Sequence, residues 1–322
     1  MSFVQINDLR AYYIIEQNGL LGSVKAVDGV SLSIEKDDFL AIVGESGCGK
    51  TTLAKVLYGA LDSTLRIISG SVHFTFEDCE YEISCKKNDL PRAWWKKISY
   101  IPQGSLSALN PIRKVEQIFR DLLSSHGLSF DIKTIESHLR SVNLSEQVLK
   151  MYPFELSGGM KQRVVIALAI LLNPKLVIAD EPTSALDVVT QRDILEVLGS
   201  LHKAKGISFV FITHDISLIP GLANMVAVMY CGDIVEYGSV DEVFSNPLHP
   251  YTKFLLSSIP RIGDKSEKRP IPGAVASPIN PPHGCKFHPR CPYRNERCEN
   301  SKPPMIKVGS DRHEVACWLY KK

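Results

Sequence analysis

Residues 44–51 read GESGCGKT, and this octapeptide decides the fold. It fits the spacing G-x-x-x-x-G-K-[ST], follows the apolar run FLAIV (39–43) and leads into the helix-forming TTLAKVLYGA. A buried strand, a glycine-rich loop and a helix in that order wrap backbone N–H groups around phosphate oxygens and aim the helix dipole at them. Gly44, Gly47 and Gly49 allow the backbone angles and the close approach, and Ser46 lies among the loop residues that line the phosphates. By type and position Lys50 reaches the β and γ phosphates, Thr51 holds Mg2+ through its hydroxyl, and Thr52 stands within reach of the α phosphate. A chance glycine-rich turn is the competing reading, and the flanking strand and helix count against it.

Outward from the loop, residues 1–42 alternate apolar and polar positions, and VHFTF and ISYIP continue the strand pattern between 65 and 101. From about 104 to 172 the period turns helical, as in VEQIFRDLL and IESHLRSV, which predicts a separate helical subdomain. KLVIAD and ISFVFIT are continuous apolar runs separated by a helical stretch, the pattern of parallel strands buried on both faces. After about residue 240, closely spaced prolines predict irregular backbone. The expected fold class is therefore α/β, with a separate helical subdomain and a small irregular extension; the family resemblance given below implies that the core is RecA-like and carries an antiparallel β subdomain. The expected division is 1–245 for the nucleotide-binding domain and 246–322 for the extension.

With 322 residues, 44% of them hydrophobic, the chain can bury a sizeable core. A formal charge of +2 nominates no nucleic acid as partner. The longest apolar run, VVIALAILL (164–172), is far short of the about 20 residues a spanning helix needs. The N-terminus lacks the basic and apolar regions of an export signal, so a cytosolic protein is expected. Cysteines in a reducing compartment point to metal or redox chemistry rather than disulfides.

Hydrolysis of a bound nucleotide needs a carboxylate at the end of a buried strand and a group that positions water. LVIAD ends on Asp180, and Glu181 follows it. An acidic pair that merely caps a strand is the bland alternative. Between the loop and this pair lies LSGGMKQRV (156–164), and with it the sequence resembles the ATP-binding cassette (ABC) family of transporter ATPases. In that family Ser157, Gly158 and Gly159 would close over ATP held by another subunit. Gln103, in YIPQGSLSALNP, matches the Q-loop glutamine that senses Mg2+ and the attacking water. His214, in FVFITHD, matches the switch histidine at the γ phosphate, and Ser184 to Asp187 match the D-loop. Tyr13 matches the aromatic that stacks on adenine, with Tyr12 as the alternative register.

The likeness extends to the oligopeptide/dipeptide importer branch. QGSLSALNP is similar to its Q-loop, NPLHPYTKFLLSSIP (246–260) to the start of its C-terminal extension, and Met160 to its D-type subunit, whereas Gly104-Ser105 departs from it. This resemblance implies an ATPase subunit at the cytoplasmic face of the membrane, working with ATP and Mg2+. Its implied partners are a second ATPase, two membrane permease subunits and an external solute-binding protein. An oligosaccharide importer, a soluble cassette and an ATP-using redox sensor are the rival readings. Dependence of ATPase activity on oxidation state would single out the last.

Cys285, Cys291, Cys298 and Cys317 have the spacing C-x5-C-x6-C-x18-C. Four thiolates suit a tetrahedral Zn2+ or a [4Fe-4S] cluster, and the absence of a tight C-x2-4-C knuckle tilts toward the cluster. The branch resemblance implies the same cluster. His288 and His313 are alternative zinc ligands, and unmetallated thiols are the remaining reading. The tail is expected to be a metal-braced appendage whose loosening leaves ATP binding largely intact.

Overall fold

Two compact units, Met1–Arg92 with Ile212–Lys322 and Ala93–Phe211, make up the chain in a computed structural model that describes residues 3–17, 20–104, 107–184, 186–259, 271, 273–309 and 312–321. Ser105 of the Q-loop, Ala185 of the D-loop and Pro260, Pro270 and Pro272 of the tail fall outside the described residues.

In the first unit, the alternating N-terminal sequence forms β1 (Val4–Gln17) and β2 (Leu20–Ile34), which pair antiparallel. Val4, Ile6, Leu9 and Ala11 of β1 are buried, and a register shift between Ile6 and Leu9 re-phases the alternation around Asp8 at φ 41. With β4 (Leu65–Thr75) and β5 (Glu80–Ser84) they form a sheet of order β2-β1-β4-β5. FLAIV becomes β3 (Phe39–Val43), parallel to β9 (Met225–Tyr230). Every residue of both strands is buried, which explains why they read as unbroken apolar runs. Each such Val, Ile or Leu contributes about 1.5–3 kcal/mol through burial.

The phosphate-loop helix α1 (Lys50–Tyr58) follows β3. β10 (Asp233–Ser239) pairs antiparallel with β9, and the sheet is extended by two short strands of the tail, β11 (Ile306–Lys307) and β12 (Glu314–Val315), in the order β11-β12-β10-β9-β3. The proline-rich tail is thus less irregular than its sequence predicts, because it borrows a sheet edge from the core. It also carries the short helices α7 (Pro250–Ser257), which follows α6 (Val240–Ser245), and α8 (Glu296–Asn300).

A buried carboxylate holds the tail in place. Glu236 of β10 accepts the N–H groups of Leu248 and His249, each at 2.8 Å, and lies 2.9 Å from Nε2 of His313. Buried hydrogen bonds are costly to leave unmade, so a strand residue indistinguishable by pattern becomes one anchor of the extension. His249 in turn caps α7 by accepting the Tyr251 N–H on Nδ1, and burial pushes its pKa down to about 4, which keeps it neutral.

In the second unit, β6 (Ile98–Ile101) runs parallel to β7 (Leu176–Asp180), and β7 lies between β6 and β8 (Ser208–Thr213), the strand along which the chain passes back into the first unit. Its helices are α2 (Val115–Ser125), α3 (Ile132–Ser141), α4 (Gly158–Ala169) and α5 (Val188–Lys205). The side chains of Asp131, Ser157 and Asp187 cap α3, α4 and α5 by accepting N–H groups of the first turn. Among the described residues no helix is long and apolar enough to cross a membrane.

Candidate nucleotide site

The loop between β3 and α1 is shaped by its glycines. Gly49 adopts φ 109, and a Cβ there would lie 1.9 Å from the carbonyl oxygen of Ala26; at Gly44 it would lie 2.1 Å from that of Met229. The loop therefore lies directly against β2 and β9, and no larger residue fits at these two positions. Lys50 is buried and folded back, its Nζ donating to the carbonyls of Gly44 at 2.8 Å and Glu45 at 3.1 Å. An ammonium spanning the loop's own carbonyls can exchange those partners for phosphate oxygens. Thr51 and Thr52 open α1, where N–H groups lack intrahelical acceptors and the dipole favours anions.

The two candidate adenine platforms differ in their surroundings. The Tyr12 hydroxyl donates to Asp28 Oδ1 at 2.5 Å, and burial together with that bond raises its pKa. Tyr13 instead lies beneath Lys55 of α1, with Nζ 5.9 Å from its ring centroid. Tyr12 is thus committed to β2, and Tyr13 lies beside the phosphate-loop helix. His214, at the end of β8, is exposed and belongs to this unit.

The second unit holds the other groups. Asp180 is fully buried at the end of β7, where its Oδ2 accepts the Tyr100 hydroxyl at 2.9 Å. Glu181 follows at φ 47, a left-handed backbone that is uncommon for a residue with a side chain. Its Oε2 accepts Nε2 of Gln103 at 3.2 Å, so two residues expected near the attacking water meet each other directly. Ser157 spends its hydroxyl partly on capping α4, accepting the Met160 N–H at 3.3 Å. Gly159 has a further role that its motif does not disclose: a Cβ there would lie 2.6 Å from Cγ2 of Thr190 on α5.

The extension supplies contacts that sequence reading missed. Arg290 forms an ion pair with Glu45 of the phosphate loop at 2.7 Å, and the Tyr251 hydroxyl accepts the Glu45 N–H at 2.8 Å. Lys286 donates to Asp28 at 2.9 Å, to the Cys231 carbonyl at 2.9 Å and to Asp233 at 3.2 Å. Burial opposes ionisation of Asp28, yet the hydrogen bonds from Tyr12 and Lys286 hold its carboxyl below the usual range. A basic residue beside a cysteine, in HPRCP and GCKFH, is the only signal that could have singled out these two side chains.

All eight cysteines are free thiols. Cys285 and Cys298 are tied by the backbone, Cys285 N–H donating to the Cys298 carbonyl at 2.8 Å. Burial foremost, with the charges of Cys298, Cys317 and Cys291 adding to it, pushes the Cys285 thiol up to about 12, so the four thiols share one neighbourhood. Among the described residues, however, no three His, Cys, Asp or Glu side chains are grouped so as to hold a metal ion. Of the two histidine alternatives, His313 Nε2 lies 2.9 Å from Glu236 Oε1 and His288 Nδ1 lies 3.0 Å from the Cys285 carbonyl.

A family model described as ABC transporter matches residues 27–184, and one described as oligopeptide/dipeptide transporter, C-terminal region, matches residues 235–298. The solved post-hydrolysis dimer of the ATP-binding cassette MJ0796 with ADP and Pi superimposes with a TM-score of 0.60 at 25% identity, covering 74% of this chain and 98% of that one. The chain belongs to the ABC transporter family; it is a nucleotide-binding subunit and an ATPase, taking ATP with Mg2+. Within that family it falls among the oligopeptide/dipeptide transport ATP-binding proteins. A dipeptide transport ATP-binding protein of Caldanaerobacter subterraneus subsp. tengcongensis is 44% identical, covering 99% of this chain and 97% of the relative. An oligopeptide transport ATP-binding protein of Bacillus subtilis is 38% identical, covering 100% and 98%.

Proposed function

We propose that this chain is the D-type ATPase subunit of an importer for dipeptides or oligopeptides. The observation that carries this reading is its full-length likeness to proteins named for dipeptide and oligopeptide transport, extension included. Residues 1–245 form the ATPase domain, with a helical part over about 104–172, and 246–322 the extension. The chain works at the cytoplasmic membrane face against two permease subunits, paired with a second ATPase and served by an external solute-binding protein. Gly44, Ser46, Gly47, Gly49, Lys50, Thr51 and Thr52 hold the phosphates, Tyr13 the adenine, and Thr51 and Gln103 the Mg2+. Asp180 binds metal-coordinated water, Glu181 polarises the attacking water and His214 contacts the γ phosphate. Ser157, Gly158 and Gly159 complete the partner's site.

Vesicles carrying the assembled transporter should accumulate labelled dipeptide in an ATP-dependent manner, and Lys50→Ala in this chain should abolish most of that uptake. Accumulation of an oligosaccharide instead would overturn the peptide assignment.

Cys285, Cys291, Cys298 and Cys317 hold a [4Fe-4S] cluster in this reading. What supports the cluster over zinc is the four-thiol set with its C-x5-C-x6-C-x18-C spacing and no tight C-x2-4-C knuckle. The cluster would act as a structural brace when bound. Anaerobically purified protein should contain about four iron and four sulfide per chain. One zinc and no iron would replace the cluster by zinc.

A further inference from the structure

We propose that Arg290, next to Cys291 in the C-terminal extension, is a positioning residue of the nucleotide site, so that the extension helps to set ATP affinity. The proposal rests on residues 44–51 being the ATP loop. It departs from the expectation that the tail can loosen while ATP binding stays intact.

Arg290 is 6% exposed. Its guanidinium grips the Glu45 carboxylate at two points, Nη1 to Oε2 at 2.7 Å and Nη2 to Oε1 at 3.1 Å. A planar fork meeting a carboxylate in this way fixes orientation as well as distance. The guanidinium also donates to the Tyr230 hydroxyl and the Ile271 carbonyl, each at 3.4 Å, and it lies 5.9 Å from the Phe287 ring centroid. Held on these sides, it cannot swing away without losing several partners.

Glu45 is the second residue of the loop, and its other polar groups are engaged too. Its N–H goes to the Tyr251 hydroxyl at 2.8 Å, and its carbonyl accepts Lys50 Nζ at 3.1 Å. Two of the groups that fix Glu45, Arg290 and Tyr251, therefore come from the extension. The ion pair also cancels a negative charge beside the site where a polyphosphate would enter; unpaired, that carboxylate would repel the ligand.

At the other end of the same short segment, Lys286 holds Asp28, which accepts the Tyr12 hydroxyl at 2.5 Å. Lys286 and Arg290 both lie between Cys285 and Cys291, so whatever fixes the cysteines fixes both grips.

The test is the affinity of the full-length chain for the fluorescent analogue mant-ATP with Mg2+, alongside thermal melting. Lys50→Ala serves as the separate check: wild-type affinity there removes the loop reading itself, whatever Arg290 does. With the loop reading intact, Arg290→Gln should weaken binding about tenfold, the loss expected when part of a charge-assisted pair is removed. Arg290→Lys should recover part of that affinity. Because Arg290 acts through Glu45, adding Arg290→Gln to Glu45→Gln should change nothing further. Wild-type affinity in folded Arg290→Gln, or an undiminished loss in the Glu45→Gln background, overturns the proposal. Should Arg290→Gln fail to fold, Arg290→Lys and Glu45→Asp decide: the latter keeps the charge but shortens the reach, and wild-type affinity in both sinks the idea.

Discussion

Glu181→Gln in this chain should lower ATP turnover at its own site by about 10²–10⁴-fold, the range expected when a group that assists proton transfer is removed. The change is nearly isosteric and keeps the backbone demand of φ 47. The amide retains an oxygen for the Gln103 contact now made at 3.2 Å, so local geometry survives. What disappears is the negative charge to which the proposed function assigns the polarising of water. Nucleotide binding should stay near the wild-type level, and ATP should accumulate in a closed pair of cassettes. Phosphate release and bound-nucleotide content measure the two effects separately. Undiminished turnover at this site would remove Glu181 from its role.

Gly49→Ala should have an effect of similar size by a different route. The added methyl would sit 1.9 Å from a main-chain oxygen and 2.8 Å from Met229 Cε, at a φ of 109 that side chains avoid. Neither the strand nor the loop can yield without disturbing the other, so a loss of about 3 kcal/mol or more in stability, or of nucleotide binding about 100-fold, is expected. Gly47 supplies the contrast. Nothing lies within 4 Å of its would-be Cβ at φ 77, so Gly47→Ala should cost the fold only the left-handed penalty of about 1–2 kcal/mol. Urea melts of the two variants would check this, and equal losses of stability would contradict the account of the loop.

The nucleotide motifs were legible because their chemistry is local. Glycines that must approach a strand, a lysine at the loop's end and a carboxylate closing an apolar strand each leave a mark within a few residues. The buried strands were equally legible, since burial on both faces removes polar positions altogether. Long-range polar contacts leave no such mark. Arg290 and Glu45 are 245 positions apart, and neither has a spacing that betrays the other. Glu236 sits in an ordinary strand, and only the fold discloses that it gathers Leu248, His249 and His313. The tail's two short strands were equally hidden, because their partner is an edge of β10 rather than a neighbour in sequence. Tyr12 and Tyr13 could not be ranked from sequence, as adjacent aromatics on a strand differ only in the face each presents.

The central claim is that this chain hydrolyses ATP with its own Glu181 rather than only lending Ser157, Gly158 and Gly159 to a partner. The most direct measurement is single-turnover hydrolysis of γ-labelled ATP by the assembled transporter, with the second ATPase's own water-activating carboxylate replaced and this chain left intact. Release of labelled phosphate that disappears on adding Glu181→Gln is the predicted result. No hydrolysis, or hydrolysis that persists after Glu181→Gln, would contradict it.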